Sequence, residues 1–82
     1  MRLVKHLNDF QHIKRQGTGY FIVLDTTATK VHSVQCNWIK EESFVQKVIT
    51  NNGANGSYYW VQYWNAQEPA FKETPCRKCM LE

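Results

Sequence analysis

The spacing of apolar residues changes along the chain, and each change marks an element. Leu3, Leu7, Phe10 and Ile13 recur at intervals of four and three. That is the repeat of one helix face, and it predicts a helix over residues 2–15. Arg2, Lys5, Lys14 and Arg15 fall off this line. Lys14 and Arg15 would occupy the last turn, where the helix dipole favours cations. Gly17 offers the stop. The pattern then becomes an unbroken run, GYFIVLD (19–25), which predicts a strand covered on both faces. TKVHS reads as the second arm of a hairpin, with residues 25–29 as its turn.

Helical spacing returns over residues 39–51. Phe44 pairs with Val48 and Val45 with Ile49, while Glu41 and Glu42 complement the dipole near the start. NNGANGS ends this second helix in a loop, so Asn55-Gly56-Ser57 reads as a turn rather than a glycosylation acceptor. SYYWVQYWN then reads as a strand. Tyr58, Trp60, Gln62 and Trp64 point one way, and Tyr59, Val61 and Tyr63 the other. Both sides are apolar, which predicts helices on both faces. Pro69 and Pro75 punctuate a final stretch expected to be irregular or a short turn. The pattern as a whole predicts an α+β fold in a single domain over residues 1–82, with two helices and a small antiparallel sheet of about three strands.

Composition sharpens this picture. A chain of 82 residues buries little surface, and chains of this length often depend on disulfides, a metal or a partner. Ten Lys and Arg against seven Asp and Glu give a formal charge of +3, which permits an anionic partner without demanding one. No apolar run approaches the roughly 20 residues needed to span a bilayer. MRLVKHLNDFQHIKR lacks the apolar core of a secretory signal, so the expected setting is the cytoplasm, where thiols stay reduced. Leu81-Glu82 has the form of a common cloning scar, which would place the natural terminus near Met80.

The chain has three cysteines, Cys36, Cys76 and Cys79, an odd number that cannot close into internal disulfides without a leftover. Three cysteines and one histidine complete a tetrahedral zinc shell. His32 is the histidine of choice because HSVQC places it four residues before Cys36. Two short-spaced pairs, H-x3-C and C-x2-C, then stand apart with 39 residues between them. An ion shared by both would tie the middle of the chain to its end. The rival readings are ordinary reduced thiols and a redox C-x-x-C pair. Redox dithiols normally sit at a helix N-terminus, and too little chain follows Cys79 to build one. His6 and His12 have no short-spaced cysteine and read as solvated residues of the first helix.

TKVHSVQCNWI, followed far later by PCRKC, resembles the small Ada-type metal-binding module. That zinc domain stands at the N-terminus of the bacterial Ada DNA-alkylation-response protein and has relatives fused to nucleases. The resemblance spans roughly residues 19–79. It implies that His32, Cys36, Cys76 and Cys79 hold one structural zinc. The stretch between the two pairs is longer here than in the family pattern. His32 also stands where Ada has the cysteine that accepts a methyl group from alkylated DNA phosphate. Imidazole cannot play that part, and replacing a thiolate takes one negative charge off the site, which leaves the other sulfurs weaker nucleophiles. The resemblance therefore implies the fold and argues against that reaction.

For contact with nucleic acid the candidate cations are Lys30, Lys72, Arg77 and Lys78, with Trp60 and Trp64 as stacking surfaces. The acidic residues show no catalytic arrangement, and four protein ligands on zinc leave no position for water. The expectation is a non-enzymatic zinc module that contacts nucleic acid. The alternative is a protein-interaction or regulatory module that zinc merely stabilises, with no membrane partner and no small-molecule substrate in either case.

Overall fold

In the computed structural model, which describes residues 1–54, 56–69 and 71–76, the apolar run and its partner form the predicted hairpin. Strand β2 (Tyr20–Asp25) pairs antiparallel with β3 (Thr29–Ser33). The turn between them closes where Asp25 N–H donates to the Ala28 carbonyl at 2.9 Å. The aromatic run forms β4 (Gly56–Val61), antiparallel on the other side of β2. These are the three long strands that periodicity predicts.

Two short strands extend the sheet to five, in the order β1-β4-β2-β3-β5. β1 is Arg2–Val4, antiparallel to β4, and β5 is Thr74–Pro75, parallel to β3. Both fall where the sequence pattern predicted something else. The first helix, α1, runs over Leu7–Gln16 instead of starting at residue 2. Leu3, expected on its apolar stripe, lies on β1 and is 40% exposed. The edge of β4 needs a hydrogen-bonding partner, and that demand outweighs a helical spacing carried by one leucine. His6 holds extended backbone at the boundary. At the far end α1 stops as expected: Gly17 takes a left-handed conformation and returns its N–H to Ile13.

The second helix begins as α2 (Glu41–Phe44) and widens into π-type turns over Val45–Thr50. There Asn51 N–H reaches back five residues to the Gln46 carbonyl at 3.0 Å. The widening keeps Phe44 buried, with Val45 and Val48 packed against the core, and leaves Ile49 exposed.

Both helices lie on one face of the sheet. Phe10 of α1 stacks on Phe21 of β2 (ring centroids 5.3 Å apart) and on Phe44 of α2 (4.5 Å). Tyr58 of β4 meets all three rings edge-on. The opposite face is covered not by a helix but by the chain that leaves β4. Gln62, Tyr63 and Trp64, expected in the strand, lie beyond its end. The chain then folds back so that Phe71 packs on Tyr59 at 5.1 Å. The buried Glu73 carboxylate orders this return: Trp64 Nε1 donates to it at 2.8 Å, and so does Phe71 N–H at 2.8 Å.

Candidate metal centre

The site begins with the direction of one side chain on β3. His32 stands opposite Phe21 in the β2–β3 register and so faces the helix side. The strand ends one residue later because the chain turns: Cys36 N–H donates to the Ser33 carbonyl at 2.9 Å, and Gln35 N–H to Ser33 Oγ at 3.3 Å. Val34 is buried, and Gln35 Nε2 donates to the Gly17 carbonyl at 3.0 Å. These anchors fix where Cys36 points. Ile39 N–H then donates to the Cys36 carbonyl at 3.0 Å, tightening the next turn.

The other side arrives on β5. Its register sets Thr74 beside Lys30 and Pro75 beside Val31, and Cys76 N–H donates to the Val31 carbonyl at 2.9 Å. A proline has no N–H to give, and an edge strand tolerates that loss. The next residue, Cys76, therefore sits alongside His32. Two edge residues of sheet bring together donors separated by half the chain.

The result is a group of three buried side chains, His32, Cys36 and Cys76, whose ligand atoms lie within 4.8 Å of one another. A tetrahedral ion with sulfur at about 2.3 Å and nitrogen at about 2.0 Å spaces its ligand atoms roughly 3.5–3.8 Å apart. The donors thus stand close to coordination spacing and could hold a metal ion. His32 Nδ1 is buried with no hydrogen-bond partner among the described residues. Buried polar atoms are nearly always paired, so an orphan nitrogen on a histidine grouped with two thiols fits a ligand position. Burial first, and the nearby Lys30 charge second, hold the imidazole pKa below its ordinary value. The neutral form, which is the metal-binding form, is favoured.

Lys14 approaches the same corner from α1. Its ammonium donates to the Val34 carbonyl at 2.9 Å. Partial burial lowers its pKa, and the charge of a Cys36 thiolate opposes that fall. Sequence reasoning saw a dipole-compensating residue here and missed this second role.

The other expected site residues fare unevenly. Cys79, Arg77 and Lys78 lie outside the described residues. Lys30 and Lys72 are exposed, and Lys72 holds left-handed backbone (φ 57°) just before Glu73. Trp60 and Trp64 are half-buried, and each indole N–H has an acceptor within the chain: the Thr18 carbonyl at 3.0 Å for Trp60, and Glu73 for Trp64. Trp60 also packs against the core. Gly19 admits it there, since a side chain at that position would come within 2.5 Å of Trp60 Nε1. Both rings are thus partly covered, with their indole N–H groups engaged within the chain. His6 and His12 are exposed, as expected. The aromatic residue that sequence reasoning missed is Trp38, which is 61% exposed and lines a groove running up to His32 and Cys76. Its neighbour Ile39 is buried, and a chain leaving a tight turn cannot point both residues inward.

The chain matches no protein-family model, no curated protein and no solved structure.

Proposed function

We propose that this protein is a small, non-enzymatic module stabilised by one zinc ion and built to contact nucleic acid. His32, Cys36 and Cys76 supply three ligands, and Cys79, three residues beyond Cys76 on the C-x2-C spacing, supplies the fourth. The observation that carries the metal reading is the convergence of three buried donors from two remote parts of the chain, with His32 Nδ1 unpaired among the described residues. Three sulfurs and one imidazole form a donor set that suits zinc over hard cations such as magnesium or calcium. The metal's part is to close the fold. The protein's part is to hold β3 and β5 in register so that the ligands meet. The resemblance of the ligand motifs to the Ada-type module supports the same arrangement, with His32 excluding methyl transfer at the first position. The formal charge of +3 and the exposed Lys30 beside the site support contact with an anionic polymer.

Native mass spectrometry of the full chain tests the metal reading. One zinc per chain is expected, lost on chelation and weakened in Cys79→Ser. A metal-free chain that stays folded would overturn it.

Met1 and Tyr63 favour a second reading, a protein-interaction module. They are 64% and 82% exposed and line one shallow cavity. It predicts concentration-dependent association that Tyr63→Ser abolishes. A clean monomer at high concentration in sedimentation would argue against it.

A further inference from the structure

The groove beside the metal corner has a composition that neither the ligand set nor the core requires. It encloses about 490 Å³, and Val23, Ala28, Trp38 and Lys30 line it, with His32 and Cys76 at its inner end. Among the described lining residues the one carboxylate is Asp25. Its charge is already committed: Lys47 Nζ lies 2.7 Å from Oδ2, and Thr26 N–H donates to Oδ1 at 2.7 Å. Lys30 is exposed at the rim and is not among the ion pairs of the described residues. Lys30 therefore places one positive charge at the edge of the groove.

Shape and charge together restrict what that occupant can be. A half-open slot with an exposed indole on one side and aliphatic side chains on another suits a flat apolar body. A lysine at the rim suits a negative group attached to that body. A nucleobase with its phosphate combines both features, and it can reach the slot only when it is unpaired. We infer that this groove takes one base of a single-stranded nucleic acid, stacked on Trp38, with the adjoining phosphate on Lys30. The inference rests on the nucleic-acid reading above and moves the stacking surface from Trp60 and Trp64 to Trp38. An acidic peptide presenting an aromatic side chain is the competing occupant.

The test uses the zinc-loaded full chain and a labelled short oligothymidylate, with a duplex of equal length and a Glu-flanked aromatic peptide as comparison probes. Fluorescence anisotropy is followed as salt is varied. The single strand is expected to bind more tightly than the duplex. Trp38→Ala should weaken it about tenfold or more, while Trp38→Phe retains most of the affinity. Lys30→Gln should reduce the salt slope by about 0.7, the value for one phosphate contact on a single strand. Zinc content and circular dichroism of each variant establish that it is folded. Single-strand binding that neither substitution alters would overturn the groove while leaving the nucleic-acid reading intact. No binding of either nucleic acid at low salt would overturn both. Binding of the peptide in place of the oligonucleotide, lost in Trp38→Ala, would reassign the groove to a protein partner.

Discussion

The aromatic cluster and the His/Cys corner share one face of the sheet, and they are held together in opposite ways. Phe10, Phe21, Phe44 and Tyr58 touch one another directly. Their attraction is dispersion and the hydrophobic effect, and it needs no guest. A few residues away His32, Cys36 and Cys76 are also buried but bring polar ligand atoms within 4.8 Å of one another. Burying such groups costs free energy until something satisfies them. The comparison teaches that in a domain this small the apolar core and the polar corner are complementary. The core orders the helices on the sheet. The corner adjoins the last described strand, which is only two residues long, and in the proposed zinc site it would fasten that strand.

On the proposed zinc reading, removing the metal should give the largest effect. Structural zinc in small domains contributes on the order of 10 kcal/mol or more, against typical domain stabilities of about 5–15 kcal/mol. Chelation, or Cys76→Ser, is expected to unfold the chain as followed by circular dichroism. A chain that kept its full far- and near-ultraviolet signals without metal would break the comparison, because the aromatic cluster would then suffice by itself.

Phe44→Ala strikes the other region. A fully buried phenylalanine stacked on Phe10 and edge-on to Tyr58 should cost about 3–5 kcal/mol in urea unfolding of the zinc-loaded protein. Metal stoichiometry should stay at one. Loss of zinc along with stability would show the two regions to be one cooperative unit, whose ligands are placed by the core.

Glu73→Ala probes the back of the sheet, where the chain returns toward β5. It leaves Trp64 Nε1 and Phe71 N–H without the acceptor they now share. The expected cost is about 1–3 kcal/mol, together with weaker zinc binding, because Glu73 directly precedes the strand that leads into Cys76. A stability loss with unchanged metal affinity would separate the return loop from the corner.

Lys47→Met should have the smallest effect, about 1 kcal/mol or less, since its partner Asp25 is exposed and well screened. Hydrogen bonds from Lys47 and then Thr26 hold the Asp25 pKa below its ordinary value of 3.8. A carboxyl depressed in the folded state stabilises above its unfolded pKa, and that contribution fades as pH falls through the folded value. The difference between wild type and Lys47→Met should therefore be constant from neutral pH down to about pH 5 and shrink below pH 4. A difference that persisted in acid would show that the Lys47 stem acts through packing.

Much of this structure can be read in the chain pattern. The β2–β3 hairpin, the core of both helices and the shared side of Tyr58 and Trp60 follow from period alone, because those signals lie within single elements. The three donors His32, Cys36 and Cys76 follow from residue type and short spacing. What misled the pattern was local ambiguity. Leu3 fits a helix stripe and a strand equally well, and only the open edge of β4 decides between them. Residues 62–64 continue an aromatic alternation whose sheet has already ended. The expectation of helices on both faces failed because an irregular segment pinned by Glu73 covers the second face.

The sequence by itself determined the types of the main elements, the inventory of soft metal donors and the pairing of His32 with Cys36. These depend on neighbours a few positions away. The tertiary structure decided the outer strands β1 and β5, the meeting of Cys76 with His32, and the exposure of Trp38 in place of Trp60 and Trp64. Those outcomes depend on hydrogen-bonding edges and covering surfaces supplied by residues remote in the chain. A linear pattern holds no record of which of its apolar residues another segment will reach.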